Sequence, residues 1–194
     1  MERINEKFKQ GFSFGEVMPI AQIREGYEEP KGVLKQKKFR ECLEDMKTVL
    51  DRHKVTFFLS NGTFLGQHRE NRFIPHDKDI DIGMLKCDYP KDLPEYVVGS
   101  GKFEKLGTHG NGSDGLEHAF RHRNGVKIDI FVFFPTGKRD EYYISTFNGE
   151  CDKTREGYCK WKRTIRGLVP IRFFGRGYLV PANKDEHLTD LYGK

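Results

Sequence analysis

Between Gln36 and His53 the apolar residues Phe39, Cys42, Leu43, Met46, Val49 and Leu50 recur at steps of three and four, with charged residues between them. That spacing predicts a helix with one buried face. Residues 55–59 form a short apolar run and predict a strand. Residues 63–69 predict a short helix whose start opens on the turn Ser60-Asn61-Gly62. Residues 80–84 read as the next strand, and 90–98 as a short helix after Pro90. The stretch 107–115 carries four glycines and predicts a loop. Residues 117–123 and 126–134 alternate on either side of Asn124-Gly125, a pair favoured in two-residue hairpin turns with positive φ. Residues 142–147 predict a strand ending at Asn148-Gly149, and 172–180 place aromatic residues around Gly175 and Gly177. Asn183, with Glu186 three residues on, marks the start of a helix running to Leu191.

No internal repeat or low-complexity tract interrupts this order. The pattern predicts an α+β domain, a mixed sheet flanked by helices, over residues 35–194. Residues 1–34 are polar and irregular, with a breaker at Glu29-Pro30-Lys31-Gly32, and predict an arm or lid.

At 194 residues the chain is long enough for one core, and 16 Phe and 8 Tyr supply large apolar surface despite a high charged fraction. No apolar run approaches the roughly 20 residues of a membrane span, and the first residues lack a signal peptide's apolar stretch. These features predict a soluble, cytoplasmic chain, with any secretory or Golgi anchor lying outside these residues. The net charge of +5 suits an anionic small molecule, an acidic glycan or nucleic acid. Cys42, Cys87, Cys151 and Cys159 form no Cys-x-x-Cys pair, which excludes a zinc ribbon on spacing. Free thiols are the favoured reading, with a Cys151–Cys159 disulfide as the alternative.

Candidate chemistry concentrates between Ser60 and Met84. In a strand, Asp79 and Asp81 share a face while Ile80 and Ile82 point to the core. Their Cα atoms lie roughly 6.6 Å apart. Two carboxylates so close repel one another, and a divalent cation removes that cost. Asp129 sits between isoleucines in the later strand and completes a three-carboxylate cluster if that strand neighbours 80–84. Alone, an Asp-x-Asp pair also fits a solvated strand face. The turn Asn61-Gly62-Thr63 opens a helix, where free amides and a hydroxyl suit an anion. Gly66 and Arg69 follow one turn on, and Arg69 offers a two-pronged phosphate contact. His68 and His76 flank the region, and Asp77 is a candidate general base.

These residues resemble a known family. Asn61-Gly62-Thr63-Phe64-Leu65-Gly66-x-x-Arg69, then Phe73-Ile74-Pro75-x-Asp77-x-Asp79-Ile80-Asp81-Ile82, resembles the signature of the LicD/fukutin family. Lys127-Ile128-Asp129-Ile130-Phe131 resembles its third acidic strand. Val180-Pro181-Ala182-Asn183, His187-Leu188 and Leu191-Tyr192-Gly193 resemble its C-terminal block. The resemblance spans residues 36–194 and implies a nucleotidyltransferase-like fold. It also implies transfer of phosphocholine or an alditol phosphate from a CDP-linked donor to a glycan hydroxyl. By that resemblance Asp79, Asp81 and Asp129 hold Mg²⁺ or Mn²⁺, with Asp77 beside them in the catalytic group. Asn61, Gly62, Thr63, Gly66, Arg69 and His76 then line the donor.

Three departures stand out. His76 replaces a common Trp, Lys78 replaces a frequent Asp, and the trailing Trp does not occur before Lys194. Within enzymes, a nucleotide-sugar glycosyltransferase or an NMP-transferring nucleotidyltransferase also uses such a cluster. Outside them, a glycan- or nucleic-acid-binding module is suggested by the basic stretch 153–166 with Tyr158 and Trp161. Nucleic acid is the less favoured partner. The transferred group, acceptor glycan, metal count and oligomeric state are not encoded legibly.

Overall fold

A computed structural model describes residues 31–146 and 159–193. The first helix, α1 (Lys31–Arg52), takes in Lys31 to Leu34, part of the expected arm. Residues 1–30 lie outside the described residues, as does the expected turn at Asn148-Gly149. Along α1, the six apolar positions named above are buried. Its outer face carries the i,i+4 pairs Arg40–Glu44 (2.8 Å) and Lys47–Asp51 (2.9 Å).

The chain then runs β1 (Phe58–Leu59), α2 (Asn61–Glu70), β2 (Asp79–Leu85) and α3 (Leu93–Gly99). It continues through β3 (Phe103–Gly110), β4 (Leu116–His122), β5 (Lys127–Pro135), β6 (Glu141–Thr146) and β7 (Cys159–Thr164). A hairpin of β8 (Leu168–Phe173) and β9 (Arg176–Pro181) and a last helix, α4 (Lys184–Tyr192), complete the order. The main sheet has the order β1-β2-β5-β4-β3, with β6 paired to β5 and β7 to β6. Among the described residues, β2 and β5 are the one pair that runs parallel. The domain is therefore α+β, with a mixed sheet flanked by helices.

The two sheet faces differ. Ile80, Ile82, Met84, Ile128 and Ile130 join the α1 residues in the larger core. The opposite face carries a smaller apolar group of Phe58, Phe131, Phe133, Ile144 and Ile165. Gly83 belongs to that face, where a Cβ would stand 2.4 Å from the Phe58 ring and 2.8 Å from Phe133. The same face carries Asp79 and Asp81 upstream, so one sheet surface passes from acids to aromatics along β2.

Three local expectations need correction. Only Phe58 and Leu59 of the 55–59 run pair as a strand. Of the expected loop 107–115, residues 107–110 belong to strand β3, because β4 supplies their hydrogen bonds, while 111–115 lie outside any strand. As an edge strand with Phe103 its one buried residue, β3 shows no apolar alternation. The 124–125 turn is a three-residue connection closed by His122 N–H to the Val126 carbonyl (2.8 Å), with Gly125 at φ +92°. Asn124 instead donates its side-chain amide to the Lys38 carbonyl and to Glu41, tying the turn to α1.

Cys42 and Cys87 are free thiols, whereas Cys159 is disulfide-bonded. Four free thiols were the favoured expectation, and Cys159 corrects it. Residue 151, the partner in the alternative reading, lies outside the described residues. Among the described residues no helix is long and apolar enough to cross a membrane.

Candidate active site

The register of the one parallel pair builds the site. Asp81 stands opposite Asp129, and Asp79 opposite Lys127. Register partners on adjacent strands share a face, and residues two apart on a strand do too. Asp79, Asp81, Lys127 and Asp129 thus form one patch. On β4, Ala119 lies beside Asp129, and Glu117 follows on that face with His109 of β3 opposite it.

The start of α2 is built around Asp81. The Ser60 N–H donates to the Asp81 carbonyl (3.2 Å), and the Asp81 N–H donates to Oγ1 of Thr63 (2.9 Å). The Gly62 N–H donates to Oδ2 of Asp81 (3.2 Å). A Cβ on Gly62 would sit 2.5 Å from Oδ2 of Asp77, so glycine admits that second carboxylate. The helix start therefore positions two acids of this chain. Gly66 has a packing reason too: a Cβ there would stand 2.5 Å from the Arg72 carbonyl. The Lys35 ammonium of α1 donates to the Pro75 (2.7 Å) and Asp77 carbonyls, pinning the segment that presents Asp77.

Asp129 is 4% exposed. Its Oδ2 accepts from the Lys127 ammonium (2.6 Å), while its Oδ1 is buried without a partner. The ammonium also lies 3.6 Å from Oδ2 of Asp79. Burial, then the negative charges of Asp79 and Asp129, raise the Asp81 carboxyl well above the usual range, against the Gly62 amide. Burial also raises Asp129, opposed by Lys127. Asp77 is raised by burial and by Asp79, with His76 opposing. Burial and Asp129 push Glu117 up to about 7. A group of acids held this close, with an orphaned carboxylate oxygen, is a site that a divalent cation fits.

Other expected site residues lie elsewhere. Arg69 is exposed in the last turn of α2, about 10 Å along the helix axis from Gly62 at 1.5 Å per residue. His68 pairs with Asp185 of α4 (3.0 Å) and meets the Phe64 ring edge-on. His76 is exposed beside Asp77. Asn61 begins α2 at φ +41°. Tyr192 of the C-terminal block and Arg163 of the basic stretch had no site role in the sequence reading. Asp81 and Asp77 raise the Tyr192 hydroxyl, after burial, while Arg163 lowers it. The far end of α4 thus brings an aromatic hydroxyl toward Asp77 and Asp81, and Arg163 of β7 acts on that hydroxyl.

A different trio of ligand-type side chains, Glu41, Asp45 and His122, brings its atoms within 4.8 Å of one another. Cations already serve it. Lys102 lies 2.5 Å from Asp45, and Arg123 approaches Glu41 (3.7 Å) and Asp45 (3.8 Å). His122 Nε2 shares a hydrogen bond with Asp45 (3.1 Å). With its charge met by side chains, this trio ties α1 to β4.

A sequence profile described as "LicD/FKTN/FKRP, nucleotidyltransferase domain" matches residues 54–183. The chain belongs to the LicD/FKTN/FKRP family. Curated relatives share its sequence too. "Ribitol-5-phosphate transferase FKTN" of Homo sapiens is 31% identical over 130 residues, and its Mus musculus counterpart is 33% identical. The Macaca fascicularis protein of that name is 32% identical. Each alignment covers 58% of this chain and 27% of the relative, so the chain spans about a quarter of their length. The matched LicD region contains the whole acid patch, from Gly62 to Asp129.

Proposed function

We propose that this LicD-family domain is a metal-dependent transferase. It moves an alditol phosphate or phosphocholine from a CDP-linked donor to a glycan hydroxyl. One observation carries the reading: Asp81 and Asp129 are paired across parallel strands with Asp79 beside them, and one buried carboxylate oxygen lacks a partner. The relatives named as ribitol-5-phosphate transferases favour a phosphorylated alditol as the transferred group.

Asp79, Asp81 and Asp129 would hold Mg²⁺ or Mn²⁺. Bound there, such an ion would supply charge neutralisation at the donor's diphosphate. The protein's own part is mostly positioning. Thr63, Gly62 and Ser60 fix the carboxylate and backbone of Asp81. Lys35 and Gly62 fix Asp77. We assign Asp77 as the base: its carboxylate takes the proton of the acceptor hydroxyl as the oxygen attacks the alditol phosphorus. The bond from that phosphorus to the CMP oxygen breaks, and CMP leaves. A carboxyl raised above its usual range is better matched to that task near neutrality. Tyr192, whose hydroxyl feels Asp81 and Asp77, is better placed than Arg69 to meet the donor.

A disulfide at Cys159 favours an oxidising compartment over the cytoplasm as the place of work. Product analysis with CDP-ribitol, Mg²⁺ and a glycan acceptor tests the reaction. CMP and a phosphorylated acceptor are expected. Release of CDP would mark a glycosyltransferase-type cleavage, and CMP attached to the acceptor would mark a nucleotidyltransferase.

A further inference from the structure

The acid patch contains a cation of its own. Lys127 stands two residues before Asp129 on β5, hence on the same face, and its register partner is Asp79. Its ammonium lies 2.6 Å from Oδ2 of Asp129 and 3.6 Å from Oδ2 of Asp79. The other oxygen of Asp129 is left buried and unpartnered. The side chain of Lys127 is 41% exposed, and the contacts of its ammonium are to these two acids.

Two-ion sites for phosphoryl chemistry place their ions about 3.5–4 Å apart between shared carboxylates. Here an ammonium bridges two of the three acids that would share such a pair. Counting the three proposed ligand acids alone, three carboxylates and one ammonium leave two negative charges, which match a single divalent ion. A second divalent ion would have to displace the ammonium or lie against it.

We propose that Lys127 is a built-in cation filling one of two positions this cluster could offer, so that the cluster binds a single divalent ion. The proposal rests on the metal reading given under the proposed function and goes beyond it by fixing the ion count and naming the residue that sets it. Lys127 is then a positioning residue, a tethered monovalent charge on the strand that carries Asp129.

Counting Mn²⁺ tests it without turnover. Mn²⁺ is titrated into metal-free protein and followed by electron paramagnetic resonance, with bound metal quantified after gel filtration. Ions belonging to the cluster are those lost in Asp81→Asn. Wild type and Lys127→Arg should each hold one such ion. Lys127→Met should hold two, with the exchange-coupled signal of a close Mn²⁺ pair. Lys127→Gln is a second neutral variant should the methionine variant fold poorly, and cooperative melting verifies each. Two cluster ions in wild type, or one ion still in both neutral variants, would overturn the proposal while leaving the metal reading intact. No Asp81-dependent Mn²⁺ in wild type would overturn both.

Discussion

Asp81 and Asp129 lie opposite each other in register across the one parallel strand pair of the sheet. They are 48 positions apart in the chain, and only the β2–β5 crossover brings them together. Burial, and then the negative charges of Asp79 and Asp129, hold Asp81 well above the usual carboxylate range. Two acids in this relation oppose folding unless a cation joins them.

Activity and stability should therefore part company at Asp129. Asp129→Asn keeps size and β5 pairing but removes a charge the folded protein holds at a cost. Turnover should fall by on the order of 100-fold or more, the scale of a misplaced reacting group. The melting temperature of metal-free protein should stay level or rise. Activity assays alongside calorimetry check both halves.

Two glycines separate packing from chemistry. Gly83→Ala drives a methyl into the Phe58 and Phe133 rings. Overpacking there should destabilise the fold by about 1–3 kcal/mol, with activity per folded molecule retained. Gly62→Ala meets the carboxylate of Asp77, a movable side-chain end. It should cost less stability and more activity. Urea unfolding and specific activity on the same preparations distinguish the two.

Glu117 supplies a pH signature. Its folded-state value is raised to about 7 from an ordinary 4.5, by burial first and then by Asp129. A raised carboxyl contributes stability that is full below the unfolded value and lost as pH rises through the folded one. Glu117→Gln lacks that loss. Relative to wild type, the variant should gain stability between pH 4.5 and about 7.5, measured on metal-free protein.

Asp45 behaves oppositely. Desolvation would raise it, but hydrogen bonds from Lys102 and His122 prevail and lower it. Stability from this group is present above the ordinary carboxylate value and fades as pH falls through the lowered one. Asp45→Asn should cost about 1–3 kcal/mol at neutral pH through unpaired Lys102 and fully buried His122. Mn²⁺ binding should be unchanged, since the trio of Glu41, Asp45 and His122 already has its cations. Unfolding curves and a Mn²⁺ titration together check it.

Much of this was legible from spacing alone. The α1 face, the acids two apart on β2 and the isoleucines flanking Asp129 are periodic signals, and the structure carries them as helix and strand faces. What escaped was whatever depends on partners distant in the chain. Edge strand β3 buries Phe103 alone, so no alternation announces it. The amide of Gly62 and hydroxyl of Thr63 suggest an open anion cradle, yet the fold turns both onto Asp81. Lys127 was readable as two residues from Asp129. Its bridge to Asp79 needed the register of β2 against β5. Arg69 shares a motif with Gly62, but a helix carries it to the opposite end.

Calorimetric titration of CDP-ribitol into the metal-free protein, with and without Mg²⁺, reaches the central claim most directly. Binding should require Mg²⁺, should vanish in Asp129→Asn, and should exceed that of UDP- and GDP-sugars. Equal binding without the ion, or undiminished binding by Asp129→Asn, would contradict a cation-bridged diphosphate at these acids.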